Sequence, residues 1–346
     1  MTPTVLVVGA ESSKSADLET ILTGQGYDVI SARSGEAALT LCPKLRPDLV
    51  LLSDMLPDIN ALEVCRQLKA DPRNVLTPVV LVNSPGNNSP KSNAEEAGAD
   101  DFWGHTPTPW EAINRVQSLL QLKTYIDEQA QSVVFSLAQT IEARDPFEGG
   151  HCARVSNNAV RFGKSLGLCQ NDLDALKIGG LVHDIGKIGI PEAILSKPGP
   201  LNAEETRIME QHTLLGEQIC APLKSLRHVL PLIRSHHERM DGSGYPDKLR
   251  GEQIPLTVRI LQIVDICDAL TSDRSYRKTV SLPSALVVLY EEAERGWLDE
   301  DLVTQFAPIA VGSEGSAAFS HHGRWRSFQG PKWSETIPKR QANRGN

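Results

Sequence analysis

Four short apolar runs separated by amphipathic stretches constrain this chain more than any other feature. Residues 5–8, 28–32, 48–53 and 79–82 read as strands, with helical stretches at 15–24, 35–45 and 61–70 between them. Strands that alternate with helices at this spacing pair in parallel through crossovers, and the crossovers cover both faces of the sheet. The expectation is an α/β doubly wound domain over residues 1–122, built on a parallel five-stranded sheet. From about Trp110 to Ile141 no Pro or Gly occurs, and Val116, Leu119, Leu120, Leu122, Ile126, Val133, Val134 and Leu137 recur at helical spacing. This predicts one connecting helix over 110–141, with an apolar stripe that a second copy of the chain would cover, hence a homodimer. Beyond residue 140 strand-like alternation stops, and helical periods run to about Phe306, which predicts an all-α domain over 130–312. The tail, 313–346, is rich in Gly, Ser and Pro and basic, and is expected to be disordered, with His321-His322 as surface residues.

Charge and cysteine usage narrow the function class. The 346 residues carry 35 Lys+Arg against 43 Asp+Glu, a formal charge of −8, which argues against nonspecific binding to nucleic acid or an anionic membrane. No apolar run approaches the roughly 18 residues of a spanning helix, and the first residues lack the pattern of a signal peptide. The six cysteines form no CxxC pair and read as reduced residues of a cytoplasmic protein.

Asp54 follows the run at 49–53, which places it at the carboxyl end of a central parallel strand, where reactive groups of open α/β sheets collect. The stretch Leu51-Leu52-Ser53-Asp54-Met55-Leu56-Pro57-Asp58 and the block Gly98-Ala99-Asp100-Asp101-Phe102 resemble the response-regulator receiver family. Asp54 matches the phosphorylated aspartate of that family. The surrounding pocket departs from it: the acidic pair becomes Gly9-Ala10 followed by Glu11, the Thr or Ser after the fourth strand becomes Asn83, and the Lys becomes His105. Phosphoryl transfer to a carboxylate needs cations around the equatorial oxygens, and Asp54 with Glu11 makes a poor octahedral Mg²⁺ site. The expectation is a receiver-like fold with a degenerate phosphorylation pocket that serves in dimerisation or partner binding.

Histidines concentrate in the second half. His151, His183, His212, His236 and His237 stand in Gly-rich or acidic contexts, and several imidazoles joined by carboxylates on a helical scaffold suit Zn, Fe or Mn. The segments His183-Asp184-Ile185-Gly186-Lys187 and His236-His237-Glu238-Arg239-Met240-Asp241-Gly242-Ser243-Gly244-Tyr245-Pro246 look like the two defining motifs of the HD-GYP domain. Ala143-Arg144-Asp145-Pro146 leading to His151, and Asp265 to Arg277, fit the same family, a branch of the HD metal-dependent phosphohydrolases.

The resemblance implies hydrolysis of cyclic di-GMP to pGpG and/or GMP, with the 3′ oxygen as leaving group. By matching position it implies metal ligands at His151, His183, Asp184, His212, His236, His237 and Asp265. Asp184 would bridge two divalent ions, Fe or Mn, about 3.5–4 Å apart. Lys187, four residues after His183, is expected over the same face and on the phosphate. Arg274 and Arg277 are expected on the phosphates and guanine edges, and Asp268 behind a ligand histidine. Gly244-Tyr245-Pro246 would form a loop beside the site, a docking surface for diguanylate cyclases in relatives. Some relatives hold a third metal through a Glu four residues before the His151 position; Phe147 stands there with Glu148 beside it, so two metals are expected. The competing readings are a non-catalytic signalling scaffold, which the complete ligand set opposes, and hydrolysis of another nucleotide such as a mixed cyclic dinucleotide.

Overall fold

The computed structural model describes residues 2–9, 13–83, 91–105, 107–144, 150–272 and 280–311. The expectations for Ala10, Glu11, Phe147, Glu148, Arg274, Arg277 and the tail lie outside these residues. The described chain divides into two compact units, residues 1–132 with 221–226, and the remainder.

In the first unit, strands β1 (Thr4–Val8), β2 (Asp28–Ala32), β3 (Leu49–Ser53), β4 (Val79–Val82) and β5 (Asp101–Trp103) form one parallel sheet in the order β2-β1-β3-β4-β5. Helices α1 (Ser13–Gly24), α2 (Gly35–Leu45), α3 (Ala61–Ala70), α4 (Lys91–Glu96) and α5 (Pro109–Arg144) follow the strands in turn. Successive strand residues point to opposite faces, so the apolar runs feed two cores. Leu6, Val8, Val50, Leu52, Val79 and Leu81 pack with α2, α3 and α4, whereas Val5, Val7, Leu49, Leu51 and Val80 pack with α1 and α5. Helix starts are fixed by short polar side chains. Asn60 accepts the N–H of Leu62, and the Asp58 carboxylate accepts those of Gly35 and Glu36 at 2.9 Å each, which holds its pKa down at about 2. Within this unit Lys123 and Asp48, both buried, pair at 3.1 Å.

Helix α5 runs over 36 residues, about 54 Å at 1.5 Å per residue. One side of it is buried through Val116, Leu120, Val134, Ala138 and Ile141. The opposite side leaves Leu122, Tyr125, Ile126, Val133 and Leu137 exposed, with Leu122 at 54 % and Val133 at 58 %. At 100° per residue these five fall within about a 120° arc. Leu119 does not belong to that stripe, because it packs half-buried against the β1/β3 core.

The second unit is helical: α6 (His151–Ser165), α7 (Gln170–Val182), α8 (Glu192–Leu195), α9 (Ala203–Glu210), α10 (His212–Cys220), α11 (Leu230–Ser235), α12 (Leu256–Thr271), α13 (Leu282–Glu294) and α14 (Glu300–Val311). Its core is centred on α12, whose Val258, Ile260, Leu261, Ile263, Val264 and Cys267 are buried with Phe162, Leu176, Leu286, Leu289, Val303 and Phe306. No described helix is long and apolar enough to cross a membrane.

Candidate metal centre

Asp184 and the five histidines meet because three helix ends converge on α12. His183 follows the last residue of α7, and the chain then tightens into a 3₁₀ turn, Ile185–Gly189. Gly186 in that turn lies so close to α10 that a Cβ there would sit 1.8 Å from the carbonyl oxygen of His212. Only glycine allows this approach, and it brings Asp184 against the first residue of α10. His236 and His237 leave the end of α11, while Asp265 and Asp268, three residues apart, share one face of α12.

The histidine hydrogen bonds dictate which nitrogens face inward. A carbonyl oxygen only accepts, so a ring nitrogen bonded to one carries the proton. His183 Nδ1 donates to Gly180 O at 3.1 Å, His212 Nδ1 to Met209 O at 2.7 Å, and His236 Nδ1 to Ile233 O at 2.9 Å. In the neutral rings every Nε2 is therefore a bare lone pair. Those lone pairs converge: His212 Nε2 and His236 Nε2 lie 3.3 Å apart, and Asp184 Oδ1 lies 3.3 Å from the first and 3.7 Å from the second. Asp184 Oδ2 is 3.5 Å from His183 Nε2, and Asp265 Oδ1 is 3.2 Å from His151 Nε2 and 3.8 Å from His183 Nε2.

Burial disfavours the charged form of His183, His212 and His237. It pushes His212 down to about 4 against the pull of Asp184, and it lowers His183 in the same way. His237 is held well below the usual imidazole range by burial and by the neighbouring His236 and His212. Burial opposes ionisation of Asp184, but Lys187 and the surrounding imidazoles overcome it and hold the carboxyl well below its ordinary value. Burial also works against a charge on His151, yet its bonds to Asp265 and Asp268 raise it to about 10.

The donors form two groups, Asp184 with His212, His236 and His237, and His151 with His183 and Asp265; within each, the ligand atoms lie within 4.8 Å of one another. Asp184 touches both, one oxygen toward each group. Buried His183 Nε2 and Asp184 Oδ1 have no hydrogen-bond partner among the described residues. Buried acceptors left without a donor, as at these two atoms, are costly unless a cation sits there. Imidazole nitrogen with carboxylate oxygen fits a divalent transition metal, so the residues present suit the ion.

Asp184, Asp265 and the five histidines thus stand together, and Asp268 lies behind His151, its Oδ2 2.7 Å from Nδ1. Tyr245 stacks on the His237 ring, centroids 4.9 Å apart. Lys187 also lies at the cluster, on a 3₁₀ turn and not on a regular helix. The 3₁₀ turn replaces the helical i, i+4 relation to His183, and the ammonium pairs with Asp184 Oδ2 at 2.6 Å, three residues away. Two residues escaped the sequence reading. Buried Glu238 accepts the backbone N–H groups of Asp247 (2.6 Å) and Leu249 (3.0 Å), folding the loop back beside the His doublet. Arg154 forks onto Asp268 through Nε (2.8 Å) and Nη2 (3.0 Å); its i+3 spacing from His151 was the available signal.

In the first unit Asp54 follows β3, Asn83 follows β4 and His105 follows β5, all at the carboxyl edge of the sheet. Gly9, with φ +88°, closes the end of β1: a Cβ there would lie 2.7 Å from the Cβ of Ser53.

A receiver-domain family model matches residues 5–104, and an HD-domain model matches residues 136–302; an HD domain implies divalent metal binding. The cyclic di-GMP phosphodiesterase response regulator RpfG of Xanthomonas campestris is 34 % identical over 75 % of this chain and 75 % of its own. A cyclic di-GMP phosphodiesterase of Thermotoga maritima is 31 % identical, covering 82 % and 84 %. A 3′3′-cGAMP-specific phosphodiesterase of Vibrio cholerae is 38 % identical over 46 % of this chain and 31 % of its own. The receiver and HD matches in one chain, with the long relatives at this identity, establish that it belongs to the family of the cyclic di-GMP phosphodiesterase response regulators.

Proposed function

We propose that the chain is a divalent-metal-dependent phosphodiesterase that hydrolyses cyclic di-GMP to pGpG and/or GMP. The convergence of bare imidazole nitrogens and two carboxylates around Asp184 carries this reading. His151, His183 and Asp265 would hold one ion, His212, His236 and His237 the other, with Asp184 shared. Two Fe or Mn ions bound there supply Lewis acidity, offsetting phosphate charge and lowering the pKa of the attacking water. Lys187, anchored by Asp184, keeps a positive charge at the rim, where it favours the charge developing on the phosphate. Tyr245 walls the side next to His237, and Arg274 and Arg277 would take the phosphates and guanine edges. The Gly244-Tyr245-Pro246 loop is the surface on which a diguanylate cyclase would dock.

The first unit serves as a receiver-like domain over 1–122 that is not phosphorylated. The space an acidic side chain at position 9 would need is taken by Ser53. The exposed stripe of Leu122, Ile126, Val133 and Leu137 on α5 pairs with that of a second copy, giving a homodimer. The six cysteines, all free, suit the reducing cytoplasm.

A second substrate reading has its own support: a 3′3′-cGAMP-specific enzyme is 38 % identical over 46 % of this chain, beside 34 % over 75 % for the cyclic di-GMP enzyme RpfG. Incubating Mn- or Fe-loaded protein with each dinucleotide and resolving products by chromatography tests both. Faster turnover of cyclic di-GMP is expected; exclusive cleavage of the mixed dinucleotide would replace the substrate, and cleavage of neither would overturn the enzyme reading.

A further inference from the structure

Three of the inward-facing rings are held by carbonyls of the chain just before them. Gly180, Met209 and Ile233 each precede their histidine by three residues. His151 is different. It opens α6 directly after Gly150, whose φ of +77° lies outside the helical range, so no preceding turn of α6 offers a carbonyl to its Nδ1. A side chain from another helix does the holding: Asp268 on α12, with Oδ2 at 2.7 Å.

Asp268 can hold that ring only if its own orientation is fixed. Its side chain is buried, and its oxygens are shared among three groups. Oδ1 takes Arg154 Nε at 2.8 Å; Oδ2 takes Arg154 Nη2 at 3.0 Å and Ser272 Oγ at 3.2 Å besides the imidazole. Arg154 Nη2 also donates to Ser272 Oγ at 2.9 Å. The two parallel bonds set the plane of the carboxylate, which a single contact would leave free to turn. The Arg154 side chain is itself 41 % exposed, so its removal takes little packing from the core.

We infer that Arg154 is a positioning residue of the metal centre, which acts through Asp268 to aim His151 Nε2 at the site it shares with His183 and Asp265. The inference rests on the metal-binding reading given above. Without the fork, Oδ1 loses its Arg154 donor, the carboxylate rotates toward solvent, and His151 loses its orientation. The other group, Asp184 with His212, His236 and His237, has no link to Arg154 in this network and keeps its geometry.

The test is Mn²⁺ titration of the full-length, metal-stripped chain by calorimetry, comparing wild type with Arg154→Met and Arg154→Lys. Losses of ten- to a hundredfold are usual when a partner behind a ligand is removed. Arg154→Met should weaken one of two Mn²⁺ ions about tenfold and leave the other within twofold. Arg154→Lys, which keeps charge but not the fork, should weaken the same ion by less. Unchanged binding of both ions in Arg154→Met, or equal weakening of both, would overturn the inference, the second because a general structural role spares neither site. Should Arg154→Met fail to fold, Arg154→Lys decides alone: about threefold loss at one site supports the inference, and unchanged affinity at both refutes it. A wild-type chain that takes up no Mn²⁺ would overturn the metal reading as well, whereas a wild type that binds beside an unaltered variant would overturn this inference only.

Discussion

The buried neutral imidazoles make metal-free protein sensitive to acid in a calculable way. His212 is 1 % exposed, and burial lowers its pKa from 6.5 to about 4. Between those values the unfolded chain takes up a proton that the folded chain refuses, so unfolding binds protons and stability falls as pH is lowered. Above pH 6.5 this histidine imposes no penalty; below about 4 the penalty is complete. A shift of about 2.5 pH units corresponds to about 3 kcal/mol, which for a domain of this size is about 6–12 °C in Tm. The assay is calorimetric Tm of metal-stripped protein from pH 4 to 7, set against His212→Asn. Asparagine places an N–H where Nδ1 stands, so the 2.7 Å bond to Met209 O can be kept while the titrating ring is removed. The variant should lose about this much of the acid slope, and the remainder comes from His183 and His237, which are lowered for the same reason. Parallel slopes for wild type and variant would refute the argument. His151, raised to about 10, has the opposite sign: its contribution is present below pH 6.5 and is lost as pH rises toward 10.

Asp184→Asn should cut turnover about 10³-fold, as expected when about 4 kcal/mol of charge stabilisation goes with a shared ligand, and steady-state kinetics measures it. Gly186→Ala pushes a Cβ into the His212 carbonyl and should cost roughly 2–4 kcal/mol in urea unfolding together with weaker metal uptake. Glutamates at Leu122 and Ile126 should halve the mass seen by light scattering without changing helicity, and a wild-type monomer near 37.8 kDa would remove the helix-pair proposal. Asp54→Asn should leave turnover unchanged, and small phosphodonors with Mg²⁺ should leave Asp54 unmodified by mass spectrometry.

What could be read from the sequence follows from range. The strands at 5–8, 28–32, 48–53 and 79–82 announce themselves because a sheet covered on both faces needs unbroken apolar runs. β5 has three residues and includes Asp101, too little pattern to register. The long helix is legible from its lack of Pro and Gly, but the environment along it is not. Leu119 looks like part of the outer stripe and packs inward, and Lys123 on the same helix is buried against Asp48. In the metal centre, the ligand residues are legible only through the HD-GYP resemblance that their motifs carry. The 3₁₀ turn that carries Lys187 is not legible from the i, i+4 spacing, and within it the ammonium pairs with Asp184. The Arg154–Asp268 fork spans 114 residues, and the Glu238 anchor is made to backbone N–H groups, which no side-chain pattern encodes.

The imidazoles and carboxylates gathered around Asp184 exist to hold cations. Electron paramagnetic resonance of metal-stripped, full-length protein titrated with Mn²⁺ tests it most directly, because it counts bound ions and reports whether they are neighbours. Two ions per chain whose spins couple are expected, with the coupling lost in Asp184→Asn. A folded chain that binds no Mn²⁺, or two ions without coupling, would contradict it.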